Sequence, residues 1–306
     1  MRLSRQMIKI FERIARGDKT LESLARAQNK SVNWISEVVQ ELEKEGFVTK
    51  IKSFEIKGSR ITLELSNTNH ATKLKELIFE YSTIKFEDIL SDSKLLFLAS
   101  LSGDWIDMKT LTNLSKISKY MIDRYRPMMK NRGIIIQRKK LYKINETAWL
   151  LLKEFLIAYR NYSHINGVVK WKYNEETIFE LDNEKLIENN ATGFYTYQNY
   201  GVKVGVISAL CTLPKRKISK EEVFVHSLFE VNDPRTLYLA FTFYLKNKLN
   251  YKKVLPTAMK YGKYTMFENM ASLLKSKNNK VKLETLPEFE RNEFRRIASL
   301  YGVKNV

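Results

Sequence analysis

Along the first half of the chain, apolar residues recur at helical spacing in short runs, and the same order of runs appears twice. Met7, Ile8, Ile10, Phe11 and Ile14 form a stripe behind Ser4, which predicts a helix with a serine cap. Gly17-Asp18 ends it. Thr20 or Asp18 then caps a short helix over 21–27, with Leu21, Leu24 and Ala25 inward, and Asn29-Lys30 make the turn. Ser31 caps a third helix to about Glu45, with Val32, Ile35, Val38, Val39 and Leu42 on its inner face. Gly46 supplies the left-handed stop. Residues 47–52 and 61–65 alternate like two strands, with Lys57-Gly58-Ser59-Arg60 as the hairpin tip. A helix follows, with Leu74, Leu77, Ile78 and Tyr81 on one face.

The second copy keeps that order. Ser91 or Asp92 caps a helix through Leu95, Leu96, Leu98 and Leu101, and Gly103-Asp104 turns. Residues 108–114 form a short helix. Ser118 caps a third one carrying Met121, Ile122, Tyr125 and Met128, which Pro127 should bend. Gly133 stops it, and residues 134–144 read as a tight hairpin with a basic tip. Leu152, Phe155, Leu156 and Tyr159 line the closing helix. Its text, Leu152-Lys153-Glu154, repeats Leu74-Lys75-Glu76, and these two helices should pack back or dimerise. The glycines lie 87 residues apart and the leucines 78. The first copy therefore has room for a longer hairpin. Three helices, a hairpin and a trailing helix, present twice, read as tandem winged helices.

From about Ser163 the repeat ends. Residues 168–173 and 177–181 alternate like strands, Thr192-Gly193 reads as a turn, and residues 202–210 form an apolar run. Asp233-Pro234 signals a helix start with proline at the first helical position. Two further helices end at Tyr261-Gly262 and Tyr301-Gly302, with another over 266–274 between them. The expected fold is mostly α with small β-hairpins, an α+β protein. Two tandem winged helix-turn-helix domains (1–84 and 85–162, each with its trailing helix) precede an α+β C-terminal domain over 163–306.

Charge points to the partner. The 306-residue chain carries 53 Lys and Arg against 34 Asp and Glu, a formal charge of +19. Such a balance suits a polyanion. Between Lys109 and Lys143 the single acid is Asp123, so phosphate contact should lean on the second copy. The lone Cys211 forbids an intrachain disulfide and fits a reducing, cytoplasmic compartment; its apolar neighbours suggest a buried thiol. No apolar run is long enough for a membrane span, and the first residues lack the apolar core of a secretory signal.

The third helix of a helix-turn-helix enters the major groove with its N-terminal end. In the first copy the candidate contacts are Ser31, Asn33, Trp34, Glu37 and Gln40, with the two amides suited to adenine. In the second they are Ser118, Lys119, Tyr120, Arg124 and Arg126, beside Asp123; Arg124 fits guanine or a phosphate. From the hairpins, Lys57, Arg60, Arg138, Lys139 and Lys140 can reach phosphates or the minor groove. Each also has the plainer reading of a solvated side chain.

Catalytic patterns are absent. His70, His164 and His226 are far apart in sequence and show no metal-ligand spacing, and there is no phosphate-binding glycine loop or nucleophile elbow. The pairs Glu175-Glu176 and Glu221-Glu222 read as solvated, and Pro214-Lys215-Arg216-Lys217 as a surface loop before a helix capped at Ser219. The aromatic run 194–200 reads as core rather than a base-stacking platform. No enzyme activity, cofactor or metal is expected.

Residues 1–160 resemble the tandem winged helices of archaeal and bacterial regulators. Ala191-Thr192-Gly193-Phe194-Tyr195-Thr196-Tyr197, then Val223-Phe224-Val225-His226-Ser227-Leu228, then Thr257-Ala258-Met259-Lys260-Tyr261-Gly262 resemble the C-terminal domain of AbiEi-like antitoxin regulators. Those pair one winged helix with an α+β domain and repress their own operon; this chain has two. The expected function is a sequence-specific, double-stranded-DNA-binding transcriptional regulator. A type IV antitoxin partnered by a toxin, and a protein-binding module of a transcription or replication assembly, stand as alternatives. The C-terminal domain would join a homodimer or bind a partner, with Leu237, Phe241 and Tyr244 as candidate contacts, although a helix apolar nearly all round reads first as one buried inside its own domain.

Overall fold

The computed structural model describes residues 3–55, 58–163, 165, 167–182, 190–276 and 278–303, with backbone alone over 52–55 and 58–60. It is a mixed α and β protein, 55% helix and 17% strand, with small antiparallel sheets. In chain order come α1 (Arg5–Ala15), α2 (Leu21–Gln28), α3 (Val32–Lys44), β1 (Val48–Glu55), β2 (Gly58–Leu65) and α4 (Asn69–Glu80). Next are α5 (Ser93–Leu101), β3 (Ile106–Asp107), α6 (Met108–Ser115), α7 (Lys119–Asn131), β4 (Ile135–Arg138), β5 (Leu141–Ile144) and α8 (Glu146–Asn161). The remainder is β6 (Val168–Tyr173), β7 (Glu176–Asp182), β8 (Ala191–Thr192), β9 (Ser208–Leu213), α9 (Lys220–Ser227), α10 (Pro234–Lys246), α11 (Tyr251–Lys260), α12 (Tyr264–Lys275), β10 (Lys280–Leu283), β11 (Leu286–Glu290) and α13 (Arg291–Leu300). Among the described residues no helix is long and apolar enough to cross a membrane.

By contacts the chain divides into two units. The first is Met1–Ser102, Ser115–Arg138 and Lys143–Tyr162; the second is Gly103–Leu114, Lys139–Tyr142 and Ser163–Val306. This division does not follow the boundaries 84 and 162, because segments of the second repeat belong to each unit.

In the first unit, local chemistry sets the helix ends. Ser4, Thr20, Ser31 and Ser118 each accept a backbone N–H three residues on, at α1, α2, α3 and α7. Asn29 takes the left-handed conformation (φ 51°) that closes α2. Met7, Ile8, Ile10, Phe11 and Ile14 of α1 are all buried. On α7 the buried residues are Ile122, Tyr125 and Met129, so the inner stripe reaches Met129 where Met128 was expected. Val32, expected inside, is 39% exposed. It is the first residue of α3, before the stripe has turned toward the core. Asp92 makes no cap bond; its backbone has φ 56° and ψ −128°, and its N–H goes instead to the Leu3 carbonyl. Gly58, Ser59 and Arg60, expected at a tip, pair in β2 with Glu55, Phe54 and Ser53.

The two trailing helices meet. α4 packs along α8, with Leu74, Leu77 and Ile78 buried on one and Leu152, Phe155, Leu156 and Tyr159 on the other. Lys73 Nζ bridges Glu76 (2.9 Å) and Glu154 (3.0 Å), the equivalent glutamates of the two Leu-Lys-Glu segments. Tyr81 caps the end of α4, stacks on Trp149 and donates to the Ala148 carbonyl at 2.8 Å. Behind this seam, the His70 imidazole lies between Phe47 and Tyr162 with Nε2 2.9 Å from the Glu45 carbonyl. Gly46 (φ +75°) stops α3 where any Cβ would strike the Tyr162 ring.

The second unit is built on a four-stranded antiparallel sheet of order β6-β7-β9-β8. The register sets Ile178 opposite Thr212 and Thr192 opposite Leu210. The apolar run expected over 202–210 becomes a strand only from Ser208, and Ile207 is 93% exposed. The aromatic run forms a 3-10 helix, Gly193–Tyr200, that buries Phe194 and Tyr197. α9 starts with a Ser219–Glu222 capping box, and α10 with an Asp233–Thr236 box and proline at its first turn. Leu237 and Phe241 are fully buried against α13 and the β10-β11 hairpin, which the sequence reading did not anticipate. They are core residues, not partner contacts: a helix apolar nearly all round is one its own domain covers.

Candidate nucleic-acid interface

The two third helices align without a gap, from serine cap to glycine stop. Ser31 Oγ accepts the Trp34 N–H at 3.2 Å, and Ser118 Oγ accepts the Met121 N–H at 3.3 Å. Each hydroxyl thereby satisfies one unpaired helix N–H and keeps its own proton for an outside acceptor. The first-turn N–H groups and the helix dipole favour an anion at both sites.

On α3, Asn33, Glu37 and Gln40 are exposed, as the sequence implies. Trp34 is half-buried, with Lys30 Nζ 5.8 Å from its ring. On α7, Lys119 and Arg124 are exposed, and Tyr120 is 75% exposed at the head of the helix. Arg126 is half-buried and binds Asp123 at 3.1 Å, so the one acid of α7 is matched by its own helix. Arg138 is exposed at the end of β4. Lys139 and Lys140 form the two-residue turn before β5, with Lys139 at φ 54°, and both are exposed. That conformation is uncommon for a residue with a side chain. Arg60 lies in β2 opposite Ser53, and Lys57 lies outside the described residues.

The second unit holds a polar cluster that sequence reasoning missed. Glu176 and Glu222, expected to be solvated, converge on Arg216, at 3.0 and 2.5 Å. Lys260 Nζ reaches Glu176 at 2.7 Å, and Tyr261 donates to it at 2.6 Å. Burial alone would raise the Glu222 pKa, but hydrogen bonds from Arg216 and from the Ser219 backbone bring it down to about 2. Tyr261 is pushed well up by burial and by Glu176. Both carboxylates are thus held ionised by matched cations, which is the behaviour of a structural network.

The same network abuts His226, which is buried, edge-on to Tyr261, with Nδ1 2.9 Å from Thr192 Oγ1. Burial lowers its pKa to about 3. Glu230, half-buried beside Gly193, accepts the Phe194 N–H at 3.0 Å; partial burial raises its pKa to about 7. Cys211 is buried and burial raises its pKa, as befits an inert thiol. A groove of about 680 Å³ beside α10 and α13 is lined by Asp233, Arg235, Tyr238, Lys280, Glu290 and Arg296 among others. Its charges include internal pairs, Lys280 with Glu290 and Arg296 with Glu293, and select no one ligand chemistry. Among the described residues no group of His, Cys, Asp and Glu has the arrangement of a metal site.

Comparison of the chain with protein-family models, with curated proteins and with solved structures gives no match.

Proposed function

We propose that the two repeats are winged helices and that the chain is a regulator that binds double-stranded DNA. The observation that carries this reading is α7. It is a serine-capped helix with Ile122, Tyr125 and Met129 buried, and it turns Lys119, Tyr120 and Arg124 to solvent from its leading half. An α-helix of this kind fits the major groove, where an arginine can pair with guanine and a lysine can neutralise phosphate. The net charge of +19 supports the long-range attraction such binding needs. The packing of α4 on α8 supports two winged-helix modules held as an internal pair.

The test is the salt dependence of affinity for duplex DNA. Neutralising about five phosphates gives a log–log slope of about −4 to −5. A slope shallower than about −2, or tighter binding to single strands than to duplex, overturns the proposal.

A further inference from the structure

We propose that the reading is done by the second repeat alone: α7 engages the bases, α3 stays out of the groove, and each chain recognises a single asymmetric DNA element. This rests on the DNA-binding reading above and concerns which half of the internal pair carries it.

The gapless alignment of the two helices makes the comparison residue by residue. Ser31 matches Ser118, and Gly46 matches Gly133. Between them, Glu37 stands where Arg124 stands, Glu43 where Lys130 stands, and Glu45 where Arg132 stands. At three equivalent positions the charge is reversed. From Val32 to Glu43 the first helix contains no lysine or arginine at all; Glu37 and Glu41 are exposed, and Glu43 pairs with Lys50 of β1 at 3.1 Å. A major groove is walled by phosphates, so a helix entering it with exposed carboxylates and no cation in that stretch meets repulsion from both sides. One glutamate can accept a hydrogen bond from the cytosine amino group, but a reading helix also needs neutralised phosphates on either flank.

The head of the helix differs in the same sense. Lys119 and Tyr120 occupy the first two positions of α7; Val32 and Asn33 occupy those of α3. An exposed valine offers nothing to a phosphate, whereas a lysine at a helix N-terminus adds to the attraction of the N–H groups. Trp34, the largest side chain at the head of α3, is half-buried beneath Lys30 and is not extended for stacking. Tyr120 is extended, and its ring can lie against a thymine methyl or a sugar. The α4–α8 seam thus holds together two copies of one architecture whose third helices carry opposite charge.

The experiment is binding-site selection from a random duplex library with the full chain, followed by affinity measurement on the selected site. The wild type should select one motif, with no second copy at a spacing of about 10 base pairs. Arg124→Ala and Lys119→Ala should lower affinity for that site by at least about tenfold in combination. Tyr120→Ala should alter the preference at one position. Asn33→Ala, Glu37→Ala and Gln40→Ala should leave the motif unchanged and affinity within about threefold. All of these side chains are exposed, and circular dichroism verifies folding of every variant. A motif altered by the α3 substitutions, or a motif with two regularly spaced copies, overturns this inference alone. A wild-type chain without duplex preference overturns it together with the DNA-binding reading.

Discussion

The two repeats share an order of elements and differ in what their matching residues touch. Gly46 and Gly133 both stop a third helix with a left-handed backbone, at φ 75° and 65°. Behind Gly46 lies the Tyr162 ring, while a Cβ at Gly133 would meet nothing within 4 Å. Asp18 and Asp104 both follow a glycine at a helix end. Asp18 binds Arg13 at 2.7 Å, five residues away. Asp104 reaches across 161 residues, where it accepts the Thr265 N–H and the Thr265 hydroxyl (2.8 Å for the latter). These are the N-terminal bonds of α12, whose own cap position is Lys263, a residue that offers no acceptor. A duplicated sequence therefore preserves backbone requirements such as a positive φ, while each copy acquires its own neighbours.

Substitutions at matching positions should expose this difference, and the largest effect is expected at the glycines. Gly46→Ala combines left-handed strain with a collision on Tyr162 and should cost about 2–4 kcal/mol. Gly133→Ala carries the strain alone and should cost about 1–2 kcal/mol. Chemical denaturation of the two variants measures the gap, and equal losses would show that Tyr162 moves aside freely.

The ionisable groups whose pKa burial shifts come next. In the first unit, burial lowers His70 to a pKa of about 4, partly opposed by its bond to the Glu45 carbonyl. In the second, His226 lies near 3 and Glu230 near 7. A histidine lowered from 6.5 gives its full stability above that value, and the gain is lost as pH falls toward the folded pKa. A carboxyl raised from 4.5 works the other way: its contribution is present below 4.5 and is lost as pH rises through about 7. The wild-type chain should be most stable near neutrality. Glu230→Gln keeps an oxygen for the Phe194 N–H and removes the charge. It should stabilise by about 1–3 kcal/mol at pH 8.5, have little effect at pH 4.5, and shift the optimum upward. Thermal melts across that range are the measurement, and a variant that tracks the wild type at every pH would place Glu230 in contact with solvent.

The smallest pair is at the aspartates. Asp104→Ala removes the distant cap of α12 and should cost about 1–2 kcal/mol. Asp18→Ala breaks a surface ion pair and should cost less than about 0.5 kcal/mol. A fragment beginning at residue 163 lacks Asp104 and should show the same loss, or a greater one. Equal stability of the two aspartate variants would mean that the Thr265 contact contributes nothing in solution.

What could be read from the sequence follows the same line. Ser4, Ser31, Ser118, Ser219 and Asp233 announce their helices because a cap and its N–H lie three residues apart. The exposed faces of α3 and α7 were legible for the same reason, as the complement of a helical stripe. Asp92 misled because its backbone is fixed by Leu3, which no local pattern records. In the β10-β11 hairpin only β10 alternates, with Val281 and Leu283; in β11 the apolar Leu286 and Phe289 lie three apart around Pro287 and Glu288. The Glu176–Arg216–Glu222 network joins three separate segments, so neighbouring glutamates in the text gave no sign of it.

The aromatic closure of the first repeat has a bearing on how the chain is made. Tyr159 donates to Glu45 at 2.6 Å, and Tyr162 lies over Gly46, so residues more than a hundred positions downstream complete the surroundings of Phe47 and His70. During synthesis the first repeat leaves the ribosome well before those tyrosines exist. Until they arrive, Phe47 and His70 lack part of their cover, and the nascent chain carries an unfinished apolar patch through the translation of the whole second repeat.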